Sequence, residues 1–321
     1  MQCLRPRTPR YGLNQRSSWS SRRTVASNTR RLVTQIPTLE SWDLDSFRER
    51  AFNPAQPYRL PFIESSHSPA WTRWFNTSSS ITHADHDISQ LNLDFWKKHA
   101  DEVVPLEITR QDPISHAKIF EKIECPLALL IAHLGSTDDQ VSVYLAQHSL
   151  PSLPQALRDD LPTPELVEKA GKGDVYDSSL WLGKAPTYTP LHRDPNPNLF
   201  LQIAGRKLIR MFPPGIGESI FEHVRSCAGT GQSDARFRGE EMMYGQERAL
   251  LYGLVWGEKE GEQRRSEQEM KNSNSQYAAL SRYALEAVLT TGEALFIPKG
   301  WWHSVRGVGQ GVVGSVNWWF R

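Results

Sequence analysis

The sequence predicts a mainly β protein with flanking helices, and two observations carry that expectation. From Ser179 to the end, most segments are short apolar or alternating runs that Gly and Pro separate, as in strands joined by tight turns. Helical signals are concentrated before that point. The chain has 321 residues, of which 39% are hydrophobic and 23% charged. This is enough to bury the core of one large domain or of two small ones.

The elements of the N-terminal half follow in order. The expected ones are a helix within 36–52 that Pro54 and Pro57 stop, a strand-like run at 58–63, a helical turn at 68–75, a polar loop at 76–90 and a helix at about 91–99. The next are an apolar stretch within 114–134, a strand at 141–146 and helical signals near 154–170. The runs SLWLG, LFLQIAG, KLIRMF, ALEAVL, EALFIP, WWHSV and VVGSVNWWF then read as strands.

The strand-rich half is interrupted by residues 215–275. Within this insertion, residues 258–271 hold five acids and four bases, which predicts a solvated helix or loop. A loop of this length inside a compact domain is usually either disordered or functional. We therefore expect the insertion to be either disordered or functional.

Charge is distributed unevenly along the chain. Residues 1–39 contain eight Arg, no Lys and no acid, and subtracting those charges from the total of +1 leaves a formal charge of −7 on residues 40–321. An acidic body argues against a broad basic face for duplex nucleic acid. The Arg- and Ser-rich segment 1–35 is typical of a mitochondrial transit peptide. A disordered basic tail and an over-extended gene model are the alternatives.

Two further classes are excluded by composition. No window approaches 18 unbroken apolar residues, so no membrane span is predicted. The three cysteines, Cys3, Cys125 and Cys227, are too few and too scattered for a disulfide framework or a Cys-based zinc site.

Metal-ligand spacing points to one region of the chain. The pattern H-x-D occurs at His83–Asp85, at His99–Asp101 and at His192–Asp194. The first pair lies in the polar loop and the second ends a Lys-rich helical run, so both are expected to be surface residues. The third opens the strand region, bracketed by Pro190 and Pro195. Residues i and i+2 of a strand point the same way, so both side chains of this pair can reach one metal.

A third ligand is expected after a later strand. In GEALFIPKGWWHSV, a strand and a tight turn lead to His303, which the rings of Trp301 and Trp302 precede. Two His and one carboxylate on one face form the facial triad that holds non-haem Fe(II) and leaves other positions open.

At this point the sequence resembles a known family. The motifs are TPLHRDPNPNLFLQIAGRKLIRMFPP, GEALFIPKGWWHSV, VGSVNWWF and VYLAQHSL, together with the segment 36–75. They resemble the JmjC/cupin-like Fe(II)- and 2-oxoglutarate-dependent dioxygenases, in particular their small hydroxylase branch. The resemblance covers 36–321 without the insertion. It implies a JmjC-type double-stranded β-helix (a jelly-roll or cupin barrel) at 121–321, on which a helical or mixed part, 36–120, packs.

The resemblance also implies a set of site residues and cofactors. His192, Asp194 and His303 correspond to ligands of Fe(II), and 2-oxoglutarate and O2 are the implied cosubstrates. Lys207 corresponds to the lysine that pairs with the distal carboxylate of 2-oxoglutarate, and Thr189 and Tyr144 to hydroxyl donors to it. Asn198 and Asn317 match polar positions that line the cosubstrate pocket, and Trp301 and Trp302 are expected in the wall of the substrate pocket.

The favoured activity is hydroxylation of a protein side chain, or a demethylation that proceeds through hydroxylation. The same chemistry on a tRNA nucleoside or a secondary metabolite, a non-catalytic cupin-like binding module and a cupin isomerase remain as alternatives. The intact ligands argue against the binding module, and Lys207 with Thr189 argues against the isomerase. The sequence has no Cys/His chromatin-reader cluster, which weakens a histone-demethylase interpretation. The insertion does not align, so the resemblance leaves the substrate and the oligomeric state open.

Overall fold

Two largely antiparallel sheets form the barrel, and the mainly β expectation is confirmed. The structure is a computed structural model that describes residues 33–62, 68–77, 89–112, 118–137, 140–228, 245–258 and 275–321. These residues all belong to one compact unit, Leu32–Arg321.

The smaller sheet carries the strands that matter most for the site. Its order is β1-β12-β11-β14-β9, with β1 parallel to β12 and the other neighbours antiparallel. The strands are β1 (Thr34–Gln35), β9 (Thr187–Arg193), β11 (Arg206–Phe212), β12 (Leu285–Leu289) and β14 (Trp302–Val308).

The larger sheet faces it, in the order β2-β13-β10-β15-β8-β7-β5-β6. These strands are β2 (Tyr58–Leu60), β5 (Val103–Gln111), β6 (Lys118–Pro126), β7 (Val141–Ser149), β8 (Val175–Lys184), β10 (Asn198–Ala204), β13 (Ala294–Ile297) and β15 (Val312–Phe320). A short hairpin of β3 (Phe75–Thr77) and β4 (Ser89–Leu91) joins the sheet where β4 pairs with β15.

Helices flank both sheets. They are α1 (Leu44–Phe47), which continues as a π-helix (Arg48–Phe52), α2 (Ala70–Arg73), α3 (Leu93–Trp96), which continues as a 3₁₀ turn (Lys97–His99), α4 (Ala128–Gly135), α5 (Gln155–Arg158), α6 (Glu165–Lys169), α7 (Pro214–Ala228), α8 (Gly245–Trp256) and α9 (Ser275–Ser281). Helix α1 begins where a carboxylate oxygen of Asp43 accepts a hydrogen bond from the Ser46 amide at 2.8 Å, which satisfies a free N–H of the first turn. No helix in the described part of the chain is both long and apolar enough to cross a membrane.

Besides a small group of Tyr144, Ala146 and Trp181, three larger hydrophobic clusters fill the interior of the described residues. The largest joins the outer face of the larger sheet to the N-terminal helices and includes Trp74 and Trp96. A second fills the barrel itself. The third lies between the outer face of the smaller sheet and helices α7 and α8. Burial on both faces of the smaller sheet explains why its strands read as continuous apolar runs rather than as alternating ones.

Strand β11 shows how the two faces are separated. Ile209 and Met211 belong to the barrel cluster, whereas Leu208 and Phe212 belong to the cluster under the helices. Side chains of a strand alternate between its faces. Odd-numbered residues of β11 therefore face the barrel, and even-numbered residues face α7 and α8.

Two regions differ from expectation. Strands β5 and β6 form a long hairpin across the expected domain boundary near residue 120, where the sequence indicated only an apolar stretch. Most of β6 is exposed at the edge of the sheet, so its sequence has no buried face to produce an alternating pattern. The insertion contributes the packed helices α7 and α8 to a core. The charged run 258–271 and the His83–Asp85 pair lie outside the described residues, apart from the buried Glu258.

Candidate metal centre

Strands β9 and β14 bring two histidines opposite each other. The strands are antiparallel neighbours, and His192 is the cross-strand partner of His303. Asp194 follows directly after β9. In the described part of the chain, one group of side chains places three candidate metal-ligating atoms within 4.8 Å of one another, and it is His192, Asp194 and His303. All three side chains are buried.

A backbone carbonyl orients the His192 imidazole ring. His192 Nδ1 lies 2.8 Å from the Pro190 carbonyl oxygen and donates to it, so the ring's lone pair, the one able to bind a metal, is on Nε2. His192 Nε2 lies 3.9 Å from Asp194 Oδ1, and His303 Nε2 lies 3.7 Å from Asp194 Oδ2. The Nε2 atoms of both rings therefore converge on the same carboxylate.

Two asparagines hold that carboxylate in place. Asn198 Nδ2 donates to Asp194 Oδ2 at 2.7 Å, and Asn317 Nδ2 donates to Asn198 Oδ1 at 3.1 Å. The carboxylate only accepts, so the orientation of both amides follows from the chain of bonds. Asn198 and Asn317, which the resemblance places along the cosubstrate pocket, thus meet at the back of Asp194.

A β-bulge in β9 aligns Thr189 with the ligands. The cross-strand pairs are His303 with His192 and Val305 with Thr189, so two residues of β9 stand opposite the single residue Ser304 of β14. The extra residue shifts the alternation by one. Thr189 consequently shares a face with His192 although the two are three positions apart. Pro190, which has no amide N–H to lose, lies within the bulge, where proline is tolerated.

Lys207 lies inside the barrel. Its cross-strand partner on β14 is Gly307, which shares a face with Val305 and His303. The side chain is 2% exposed. Its Nζ donates to Ser315 Oγ at 2.7 Å and lies 5.3 Å from the centroid of the Phe200 ring. The ammonium group therefore reaches from the smaller sheet to residues of the larger one.

Tyr144 lies on the inner face of the larger sheet. Its ring contacts Trp181 at a centroid distance of 6.2 Å, and Trp181 is the cross-strand partner of Ser315. A Cβ atom on Gly183 would lie 2.3 Å from Tyr144 Cδ2. Only glycine at position 183 lets the Tyr144 ring lie flat on β8.

The structure separates the two tryptophans of the expected pocket wall. Trp301 belongs to the barrel cluster, and its Nε1 donates to the Ala55 carbonyl at 3.1 Å. Trp302 lies on the opposite face of β14 from His303, where its ring packs on Phe221 with centroids 5.1 Å apart. A Cβ atom on Gly217 of α7 would lie 2.1 Å from Trp302 Cγ, so the ring lies directly on that helix. Trp302 thus contributes to the core under the insertion.

Several inward polar groups escaped the sequence analysis. Ser315 lies two residues before Asn317, and Ser179 is the cross-strand partner of Asn317. Alternation alone could therefore have placed both serines in the barrel. The buried atoms Ser179 Oγ, Gln202 Oε1, Asn317 Oδ1 and Trp319 Nε1 have no hydrogen-bond partner within the described structure. Buried polar atoms usually bond to protein, water or ligand. This side of the barrel therefore suits a polar ligand.

The second H-x-D pair behaves as expected. His99 ends the 3₁₀ turn after α3 half-buried, and Asp101 is exposed. Only His192, Asp194 and His303 form a metal-ligand group in the described part of the chain. Two imidazoles and one carboxylate fit the donor set that non-haem Fe(II) takes in proteins.

Comparisons with known proteins agree with this geometry. A family model described as a cupin-like domain matches residues 32–321. The chain is 25% identical over 285 residues to Lysine-specific demethylase JMJ30 of Arabidopsis thaliana, covering 86% of this chain and 52% of the relative. It is 26% identical over 290 residues to Jumonji C domain-containing protein 5 of Drosophila melanogaster, covering 89% and 60%.

A third relative matches over a shorter stretch. Lysine-specific demethylase 8 of Danio rerio is 30% identical over 190 residues, which cover 58% of this chain and 37% of the relative. The chain thus spans about half the length of the curated relatives it matches.

Proposed function

The chain belongs to the cupin-like domain family, and on that premise we propose that it is an Fe(II)- and 2-oxoglutarate-dependent oxygenase of protein side chains. Its reaction would be hydroxylation, or demethylation through hydroxylation of a methyl group. The single observation that carries the proposal is the buried group of His192, Asp194 and His303, whose ligand atoms lie within 4.8 Å of one another. Two imidazoles and one carboxylate on one face are the donor set of non-haem Fe(II) oxygenases.

Each site residue has a distinct task in this proposal. His192, Asp194 and His303 would hold Fe(II). With 2-oxoglutarate and O2, this iron would supply the oxidising chemistry. Lys207 would bind the distal carboxylate of 2-oxoglutarate through a charge-assisted hydrogen bond, with the Thr189 and Tyr144 hydroxyls as further donors.

The amide of Asn198 keeps Asp194 from rotating, so that Oδ1 stays directed at the metal. The buried barrel walls, including Trp301, exclude water from the oxidising centre.

The proposed substrate class is a lysine-containing protein segment. Two of the relatives are named lysine-specific demethylases. The formal charge of −7 on residues 40–321 favours approach of a basic peptide over that of a tRNA. The Arg-rich, acid-free segment 1–35 supports a mitochondrial location as part of the same proposal.

The first test of the proposal needs no substrate. Purified protein receives Fe(II) without oxygen, and 2-oxoglutarate is then titrated while the visible charge-transfer band of a chelated iron–oxoglutarate complex is recorded. We expect a band that requires both additions and that Asp194→Ala abolishes. A folded wild-type protein that gives no band would refute the proposal and favour a non-catalytic binding module.

A second test separates the reactions. Basic peptides with and without methylated lysine are incubated with the loaded enzyme and analysed by mass spectrometry. Loss of a methyl group identifies a demethylase, and gain of one oxygen atom on an unmethylated peptide identifies a hydroxylase. Oxidation of tRNA instead of either peptide would contradict the protein substrate while leaving the cofactor assignment intact.

A further inference from the structure

Helix α8 of the insertion is connected by hydrogen bonds to the bulge in β9. Trp256, the last residue of α8, donates from Nε1 to Ser304 Oγ at 3.2 Å. Ser304 Oγ in turn donates to the Thr189 carbonyl oxygen at 2.9 Å. An indole N–H can only donate and a serine hydroxyl carries one hydrogen, so the direction of both hydrogen bonds is fixed. We call these two bonds, from Trp256 through Ser304 to Thr189, the relay.

The relay ends at the point where the strand ladder is irregular. Ser304 is the single residue of β14 that stands opposite the bulge between Thr189 and His192. A bulge leaves backbone groups out of the regular ladder, and the Ser304 hydroxyl supplies a donor to one of them. Ser304 is completely buried, so water cannot substitute for it without a rearrangement.

Helix α8 is itself fixed to the outer face of the smaller sheet. Arg210, the cross-strand partner of both Ser304 and Glu286, donates to the Val255 carbonyl at 2.7 Å and forms an ion pair with Glu286. The Trp256 ring lies against two guanidinium groups, with its centroid 4.7 Å from Arg210 Cζ and 5.0 Å from Arg306 Cζ. The indole that begins the relay is thus held by two cation–π contacts.

We propose that helix α8 is a positioning element of the cosubstrate site. Trp256 and Ser304 act as positioning residues, because they hold the bulge that sets the Thr189 hydroxyl on the same face as the His192 imidazole. The inference rests on the proposed function for the part that concerns 2-oxoglutarate. The mechanical part, in which α8 stabilises the bulge, does not depend on it.

The test uses two relay variants and one matched control. Ser304→Ala removes both bonds of the relay, and Trp256→Phe removes the first donor but keeps an aromatic ring against the arginines. The control, Tyr277→Phe, removes a buried hydroxyl in the same layer, which accepts from Arg210 Nη1 at 3.2 Å and is not one of the relay's donors or acceptors. All three variants lose a buried polar contact, so a general loss of stability would appear in each of them.

Two readouts are compared for these variants. In the anaerobic iron–oxoglutarate titration, we expect Ser304→Ala to weaken 2-oxoglutarate binding about tenfold and Trp256→Phe to weaken it less, with Tyr277→Phe within about twofold of wild type. Hydrogen exchange of metal-free protein should be about tenfold faster in segment 187–193 for Ser304→Ala, faster by a smaller factor for Trp256→Phe, and unchanged for Tyr277→Phe. If Ser304→Ala does not fold, Trp256→Phe decides with the same two measurements.

The outcomes separate this inference from the proposed function. Unchanged exchange of segment 187–193 in the relay variants, or an equal increase in Tyr277→Phe, overturns the positioning role. Faster exchange with unchanged 2-oxoglutarate affinity overturns its link to the cosubstrate. If wild-type protein gives no iron–oxoglutarate band, the proposed function fails, and the exchange data alone still decide whether α8 holds the bulge.

Discussion

The two faces of the smaller sheet both bury polar side chains, yet they partner them differently. On the outer face, the Arg210 guanidinium bonds to Glu286, to the Val255 carbonyl and to the Tyr277 hydroxyl. On the inner face, the Nε2 atoms of His192 and His303 both point at Asp194 from 3.7–3.9 Å, beyond hydrogen-bond distance. The outer Arg210 guanidinium is thus paired by protein groups on several sides, whereas the Nε2 atoms of the inner face converge on a shared space.

This difference distinguishes structural from chemical use of buried polarity. A buried charge is tolerated when the protein itself pairs it, and its removal then leaves the partner uncompensated. Ligand atoms that converge without bonding to one another are arranged for something that binds between them. Substitutions on the outer face should therefore reduce stability, and substitutions on the inner face should reduce cofactor binding and activity.

The largest expected effect is on the inner face. His192→Ala should lower 2-oxoglutarate turnover by about a thousandfold or more, because a metal ligand is lost, while the melting temperature changes little. Succinate formation and thermal unfolding measure the two quantities. Turnover at the wild-type rate would remove His192 from the metal centre, and a large drop in melting temperature would make the inner face structural as well.

The next largest effect tests the buried ion pair on the outer face of the smaller sheet. Glu286→Gln should reduce the free energy of unfolding by about 3 kcal/mol, since it leaves the buried Arg210 guanidinium without its counter-charge. Urea denaturation measures this loss. Glu40→Gln removes one exposed carboxylate and serves as the control, with a change within about 0.5 kcal/mol. Equal effects of the two substitutions would show that the outer ion pair contributes no stability.

Lys207→Ala tests whether the inner charge serves a ligand. We expect the 2-oxoglutarate concentration at half-saturation to rise by about a factor of ten to a hundred, because a charge-assisted bond contributes roughly 1.5–3 kcal/mol. Iron affinity, measured separately, should be nearly constant. Loss of iron affinity with unchanged 2-oxoglutarate dependence would instead make Lys207 a structural residue.

The smallest of these effects concerns Asn198, which donates a hydrogen bond to the Asp194 carboxylate. Asn198→Ala should weaken Fe(II) binding by about tenfold, the range found when a hydrogen-bond partner of a metal ligand is removed. Competition with a chelator of known affinity measures the change. Asn198→Ser retains a donor at this position and should recover part of the affinity. Equal losses in the two variants would indicate that packing, not the bond to Asp194, is responsible.

Much of the barrel could be predicted from the sequence because local rules suffice for it. The strand at 141–146, the short helices before residue 100 and the strands after Ser179 follow from periodicity and from Gly and Pro positions. The convergence of His192, Asp194 and His303 followed from strand alternation and from the position of one His after a later strand. The cross-strand register then brings these side chains together, as the pattern implied.

The remainder depends on contacts that no local pattern contains. Trp302 was grouped with Trp301 by adjacency, although neighbours in a strand face opposite sides, and only the packing of α7 shows where its ring lies. Asn198 bonds to Asp194 because a turn brings the two together. The insertion was expected to be a loop because residues 258–271 are so highly charged. The apolar residues that α8 buries lie before that run and were not recognised as a helix.

The packed layer beneath α8 has a consequence for any attempt to shorten this protein. Arg210 and Glu286 are buried between the smaller sheet and the helices, and Arg306 is partly buried there. A single deletion of the insertion would expose an apolar strand face to water and leave Arg306 without Glu258. A shortened variant would therefore need polar substitutions on the outer faces of β11 and β14 at the same time, to keep that surface from associating with other molecules.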